Sequence, residues 1–207
     1  MITLETLILA SHSPRRQELL RRVGLPFEVS APEVDETCTL PAARAVEELS
    51  RRKALAAARL YPGRFVLGAD TLVALDGVSL GKPADREDAR RMLRALSGRT
   101  HDVFTGMTVV SPAGEVFSGA DASQVTVVSL SEAEIDAYLA TGEPMDKAGA
   151  YAIQGRFSLF VTHLSGTEPS VMGLSLRLLR DLLLRAGYFA PGAAAPASQR
   201  PEQRMMD

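Results

Sequence analysis

The chain has 207 residues, 46% hydrophobic and 23% charged, with a formal net charge of −2; this suits one well-buried domain and argues against non-specific nucleic-acid binding. No apolar stretch approaches bilayer-spanning length and no charged-then-apolar leader precedes residue 10, so neither a membrane protein nor a secreted one is expected. Cys38 is the only cysteine and the three histidines lack ligand-like spacing, which points away from disulfides and structural zinc and towards a reducing cytoplasm.

The apolar run Leu7–Ala10 reads as a buried strand. Ser13 as N-cap and Pro14 as first helical residue start a helix to Val23, where Gly24 and Pro26 stop it. Residues 26–40 read as irregular and hold Glu33, Asp35 and Glu36. A helix is expected over 41–60, then a strand over 65–75, with Asp76-Gly77 turning the chain into a second strand at 78–80. Asp85 caps a helix to Leu96, and 101–111 and 115–130 form two long strands. Ser131 and Glu134 make a capping box for a helix to Ala140. The loop 143–150 leads into a strand over 151–164, and an amphipathic helix covers 174–186. Residues 190–207, rich in Ala, Pro and Gln, predict a disordered tail, leaving 1–189 as the folded unit. Hairpins together with crossovers predict an α/β protein around a mixed sheet.

Several polar residues break this pattern. Arg15 and Arg16 occupy a helix N-terminus, where acids are favoured; the pair suits a bound anion, or else meets surface carboxylates. On the 41–60 helix the inner face is Val46, Leu49, Ala56, Ala57 and Leu60, with Lys53 at its centre; it needs a negative partner unless it snorkels to the edge. Asp70 interrupts a buried strand beside Gly68 and Ala69, which leave room for another group to approach. Such a carboxylate pairs, binds a metal, moves protons, or accepts backbone hydrogen bonds at a bulge. Lys82 lies in a Gly-Lys-Pro loop just after the hairpin, and Gln154 puts a neutral amide in a strand-like run, where it can satisfy backbone groups. Arg15, Arg16, Lys53 and Lys82 together form a cationic cradle with Asp70 in reach. That combination suits a polyphosphate: the cations neutralise it, and the carboxylate positions water or a divalent ion.

The segments carrying these residues resemble the Maf family of nucleoside triphosphate pyrophosphatases, also called septum-formation-inhibitor proteins. The matching pieces are Leu9-Ala10-Ser11-His12-Ser13-Pro14-Arg15-Arg16-Gln17-Glu18-Leu19-Leu20, Leu67-Gly68-Ala69-Asp70-Thr71, Gly81-Lys82-Pro83, Leu96-Ser97-Gly98, Glu143-Pro144-Met145-Asp146-Lys147-Ala148-Gly149-Ala150-Tyr151 and Ile153-Gln154-Gly155. They keep the family's order across residues 7–187. The resemblance implies one α/β domain, a long mixed sheet flanked by helices, in two lobes with a cleft between, like inosine triphosphate pyrophosphatases.

It also implies hydrolysis of a nucleoside triphosphate to the monophosphate and pyrophosphate with a divalent cation, Mg²⁺ or Mn²⁺. Asp70 matches the proton acceptor; Ser13, Arg15, Arg16, Lys53 and Lys82 match phosphate-handling positions; Glu36 matches an acidic position near the metal, which Asp70 shares. Arg15, Thr71 and Gln154 match the branch acting on dTTP and UTP, whereas a sister branch acting on 7-methyl-GTP carries an acid in place of Gln154. A neutral amide can donate to and accept from the edge of uracil or thymine. Asp146 and Lys147 are expected to order the loop beside the base. A homodimer and a cytoplasmic house-cleaning role on normal or modified pyrimidine nucleotides are compatible with the resemblance. The rival reading is a nucleotide-binding regulator of cell division without turnover. Asp70 weighs against it, because a pure binder of a polyanion gains little from a buried negative group.

Overall fold

Alternation along the first strand sends Leu7 and Leu9 to one side and Ile8 and Ala10 to the other, and the sheet is built on that division. The computed structural model describes residues 4–189; the expected tail at 190–207 lies outside them. In chain order the elements are β1 (Leu7–Leu9), α1 (Pro14–Arg22), β2 (Phe27–Val29), α2 (Ala42–Leu60), β3 (Val66–Leu75), β4 (Val78–Leu80), α3 (Arg86–Leu96), β5 (Thr100–Val110), β6 (Val116–Val127), α4 (Glu132–Leu139), β7 (Val161–Ser165), α5 (Glu168–Met172) and α6 (Leu176–Arg185). The strands form one mixed sheet in the order β2-β1-β3-β5-β6-β7, with β4 hairpinned onto β3. β1 runs parallel to β2 and β3, and the remaining pairs are antiparallel.

On one face Ile8, Ala10 and Val66 meet Ala54 and Ala57 of α2. On the other, Leu7, Leu9, Leu67 and Ala69 join Leu19 and Leu20 of α1 and Leu179 and Leu182 of α6. That cluster continues without a break to Leu93 and Leu96 of α3 and Tyr138 of α4, so one core runs along this side of the sheet.

Helix α2 lies directly on strand backbone. A Cβ at Gly106 would stand 2.1 Å from the Val46 carbonyl oxygen, and one at Gly68 would stand 2.3 Å from that of Ser50. Gly68 is indeed approached closely, and the group that approaches is the helix. A hydrogen bond of 2.9 Å between the Ser50 and Thr108 hydroxyls fixes the helix along the strands. Gly106 is the cross-strand partner of Asp70. One helical turn beyond Ser50, Lys53 therefore comes down over Asp70.

Several sequence expectations need correction. Leu60 is 63% exposed, and the buried stripe of α2 is Ala45, Val46, Leu49, Ser50, Ala54 and Ala57, turned further towards the glycines than side-chain hydrophobicity suggests. Residues 27–29, expected to be irregular, form the short edge strand β2, too brief to show a period. Only 161–164 of the expected strand over 151–164 enters the sheet, as part of β7; Arg156–Phe160 is a 3₁₀ turn. Strand β6 stops at Val127, and the last helix starts at Leu176, preceded by α5 with Thr167 as its cap. The capping of α3 by Asp85 and the Ser131–Glu134 box are as expected.

His101 is buried and shares a 2.8 Å hydrogen bond through Nε2 with the Tyr151 hydroxyl. Burial, partly offset by Asp102, pushes its pKa down to about 4.

Replacing Gly106 by Ala is expected to lift α2 and lower unfolding free energy by about 3 kcal/mol, read as a shift in the urea midpoint. As pH falls below about 6.5 the unfolded chain takes up a proton at His101 that the folded protein refuses until pH is about 4. Stability is therefore expected to fall across that window, by on the order of 3 kcal/mol from this group. Melting curves of wild type and His101→Gln between pH 7 and 4 check this, the variant showing the shallower decline.

Candidate active site

A cleft of about 890 Å³ opens at the end of β1, bounded by the first turn of α1, by α2 and β3, and by the loops after β4 and α4. Its lining includes Ser13, Arg15, Arg16, Glu36, Lys53, Asp70, Thr71, Lys82 and Gln154, so the residues expected to handle phosphate, metal, proton and base border this one space. The size lies within the range of small-ligand pockets.

Asp70 and Thr71 are neighbours on β3 and point to opposite faces of the sheet. Asp70 is 7% exposed and faces α2, where its Oδ1 accepts a 2.6 Å hydrogen bond from Lys53 Nζ. The same ammonium lies 2.9 Å from Glu36 Oε1. Lys53 thus has the negative partner its place on α2 demands, and two carboxylates from distant segments converge on one cation.

Thr71 turns the other way, to Arg16. The Arg16 guanidinium donates through Nε to the Gly173 carbonyl at 2.9 Å, through Nη1 to Ser11 Oγ at 2.8 Å and through Nη2 to Thr71 Oγ1 at 3.2 Å. Three of its five N–H groups are engaged within the protein. Burial lowers its pKa, and the nearby Asp70 charge works against that effect. Arg16 is neither an exposed cation nor a carboxylate-paired one; it ties α1 to β3 and to the turn after α5.

Arg15 stays nearer the opening and reaches Asp146 across the cleft at 3.5 Å. Burial acts to raise the Asp146 pKa, but the hydrogen bond and charge of Lys147, with Arg15, carry it below the usual range. Ser13 occupies the N-cap of α1, yet its hydroxyl makes no cap bond, so it does not occupy the amides of that first turn. Lys82 is exposed, and its loop is pinned by a 3.0 Å hydrogen bond from the Gly149 amide to the Gly81 carbonyl. Gln154 is exposed to the cleft.

Ser11 and Glu143 were not singled out in the sequence. Ser11 closes the carboxyl end of β1, a position where α/β sheets commonly place ligand groups, and that signal was available. Glu143 carries out its contacts through residues up to thirteen positions away, which no local pattern reveals.

The described residues contain no cluster of three or more His, Cys, Asp or Glu side chains able to hold a metal. Glu36 and Asp70 nonetheless form a hard, oxygen-only pair that already gathers one cation. One or two carboxylates completed by substrate phosphates suit Mg²⁺ or Mn²⁺.

Fold and site together define a mixed-sheet α/β protein with a cation-lined, acid-bearing cleft at the carboxyl end of its first strand. Residues 6–186 match the family described as Maf-like protein, and the chain belongs to that family. A protein of Symbiobacterium thermophilum named dTTP/UTP pyrophosphatase is 50% identical over 194 residues, covering 92% of this chain and 100% of its own. One of the same name from Pelotomaculum thermopropionicum is 47% identical, covering 89% of this chain and 98% of its own. Among solved structures, a HAM1 protein from Coxiella burnetii superposes with a TM-score of 0.49 at 15% identity, covering 88% of this chain and 100% of that one.

Replacing Lys53 by Met leaves the nearly buried Asp70 without its cation. The expected loss is about 2–4 kcal/mol of unfolding free energy, largely recovered in Lys53→Met/Asp70→Asn. Equilibrium urea unfolding of the two variants provides the check.

Proposed function

We propose that the protein hydrolyses dTTP and UTP to the monophosphate and pyrophosphate. The observation that carries this reading is the meeting of Lys53, Asp70 and Glu36 in a cleft that Arg15, Arg16 and Lys82 also line. Relatives named dTTP/UTP pyrophosphatase, similar over nearly the whole chain, support the choice of nucleotide.

In the proposed reaction a water oxygen attacks the α-phosphorus, the bond from that phosphorus to the bridging oxygen breaks, and pyrophosphate leaves. Asp70 orients the water and takes its proton. Lys53 compensates the carboxylate charge before reaction and holds the carboxylate in place. Arg15, Lys82 and the two uncommitted N–H groups of Arg16 bind phosphate oxygens and offset charge developing on the leaving group. Arg15 exchanges Asp146 for phosphate, an exchange made easier because the existing contact is long and open to solvent. The Ser13 hydroxyl and the first-turn amides of α1 add neutral donors at a helix N-terminus. Glu36 and Asp70 are the residues that would hold a divalent ion, which supplies neutralisation of the phosphate oxygens when bound.

Gln154 offers a donor and an acceptor to the base, while Thr71 acts through Arg16. Residues 1–189 form the catalytic unit of a cytoplasmic enzyme in this reading. No described helix is long and apolar enough to cross a membrane. A regulator that only bound nucleotide would gain nothing from a buried acid aimed into a phosphate site.

Asp70→Asn is expected to lower kcat for pyrophosphate release from dTTP by about 10²–10⁴-fold while calorimetric dTTP binding stays within a few-fold of wild type. Near-normal turnover by the purified variant would remove Asp70 from the role of base.

A further inference from the structure

The turn that carries Gln154 is held in an unusual way. Residues 151–155 lie outside the sheet, so their amides need acceptors from elsewhere. The Ala152 amide, two residues before Gln154, donates to the Tyr138 hydroxyl at 3.1 Å. The Arg156 amide, two residues after it, donates to Glu143 Oε2 at 3.2 Å. The two acceptors are themselves joined, since the Tyr138 hydroxyl donates to Glu143 Oε1 at 2.8 Å. A bond of 3.1 Å from the Gly155 amide to the Ala152 carbonyl closes the turn between these two feet.

Fit at Gly155 is equally specific. A Cβ there would lie 2.3 Å from Glu143 Oε1 and 2.4 Å from Oε2, so the carboxylate sits against bare backbone next to Gln154. Glu143 is fixed in turn, its amide donating to Thr141 Oγ1 at 3.1 Å and its carbonyl accepting from Lys147 Nζ at 2.9 Å. Burial first, and the Glu143 carboxylate next, raise the Tyr138 pKa far above its ordinary value, so the hydroxyl stays protonated and donates.

We infer that Tyr138 and Glu143 are positioning residues for base selection: they clamp both feet of the turn and so fix where the Gln154 amide meets the nucleobase. The inference rests on the proposed reading of Gln154. Its physical basis is that a Gln carried on a loose turn can shift its amide to suit the differing donor and acceptor edges of uracil and cytosine alike, whereas a fixed turn sets the one distance and angle at which that amide meets a base. Discrimination requires the backbone beneath it to be pinned.

The test is steady-state hydrolysis of dTTP, UTP and CTP by wild type, Tyr138→Phe, Glu143→Gln, Gln154→Ala and Tyr138→Phe/Gln154→Ala. Tyr138→Phe keeps the ring, which packs 5.1 Å from Phe157, and deletes only the hydroxyl. It is expected to raise KM for dTTP and UTP about tenfold with kcat within about twofold, and to reduce the preference over CTP by a similar factor. Glu143→Gln, which retains one acceptor, is expected to shift the same ratio about threefold. The double variant should select no worse than Gln154→Ala alone, because both changes act through one amide. A uniform fall in kcat with unchanged selectivity, or an additive double variant, overturns the inference. If Gln154→Ala alters selectivity but neither Tyr138→Phe nor Glu143→Gln does, only the clamp is wrong. Unaltered selectivity in Gln154→Ala sinks the base-reading role of Gln154 and this inference with it.

Discussion

The site depends on how closely helix α2 approaches the sheet. With no side chain at Gly68 or Gly106, the helix rests on the backbone of β3 and β5. That contact puts Lys53 within 2.6 Å of Asp70. The ion pair itself is weak grounds for stability, since desolvating two charges costs about what their attraction returns. Its location is a by-product of apolar packing by Ala54, Ala57, Ile8 and Val66, which would favour the same helix position without any charge.

The cations of the cleft fall into three kinds. Lys53 is committed to carboxylates. Arg16 is committed to neutral oxygens and works as a strut between α1, β3 and the turn at Gly173. Arg15 and Lys82 sit nearest to solvent, one in a long contact with Asp146 and the other on an exposed loop. This gradation follows burial: the deeper the charge, the more completely the protein must answer it before any ligand arrives.

Much of this was legible in the sequence because it violates local rules. Arginines in a helix's first turn, a lysine near an apolar stripe and an acid within a buried strand each conflict with propensity, and all three border the cleft. Strand and helix order was readable wherever period or capping was strong, as at Asp85 and Ser131. The misreadings have physical causes. β2 is only three residues long, and the apolar residues at 151–153 are buried, with Tyr151 against Phe157, without entering the sheet. Leu60 fell on the wrong side because α2 is oriented by two glycines on other strands, which a helical wheel cannot show. The pairing of Arg16 with Ser11, Gly173 and Thr71 spans up to 157 positions and has no local signature.

Strand β3 gives its two adjacent polar residues to different partners, Asp70 to Lys53 and Thr71 to Arg16. Because pleating alternates strictly, sliding this strand by one position would trade the two, setting a hydroxyl before the ammonium and a carboxylate before the guanidinium. It would also put Leu67 or Ala69 at the position of Gly68, where only glycine clears the α2 backbone. The register that lets α2 settle on the sheet is therefore also the one that sends Asp70 to Lys53 and Thr71 to Arg16.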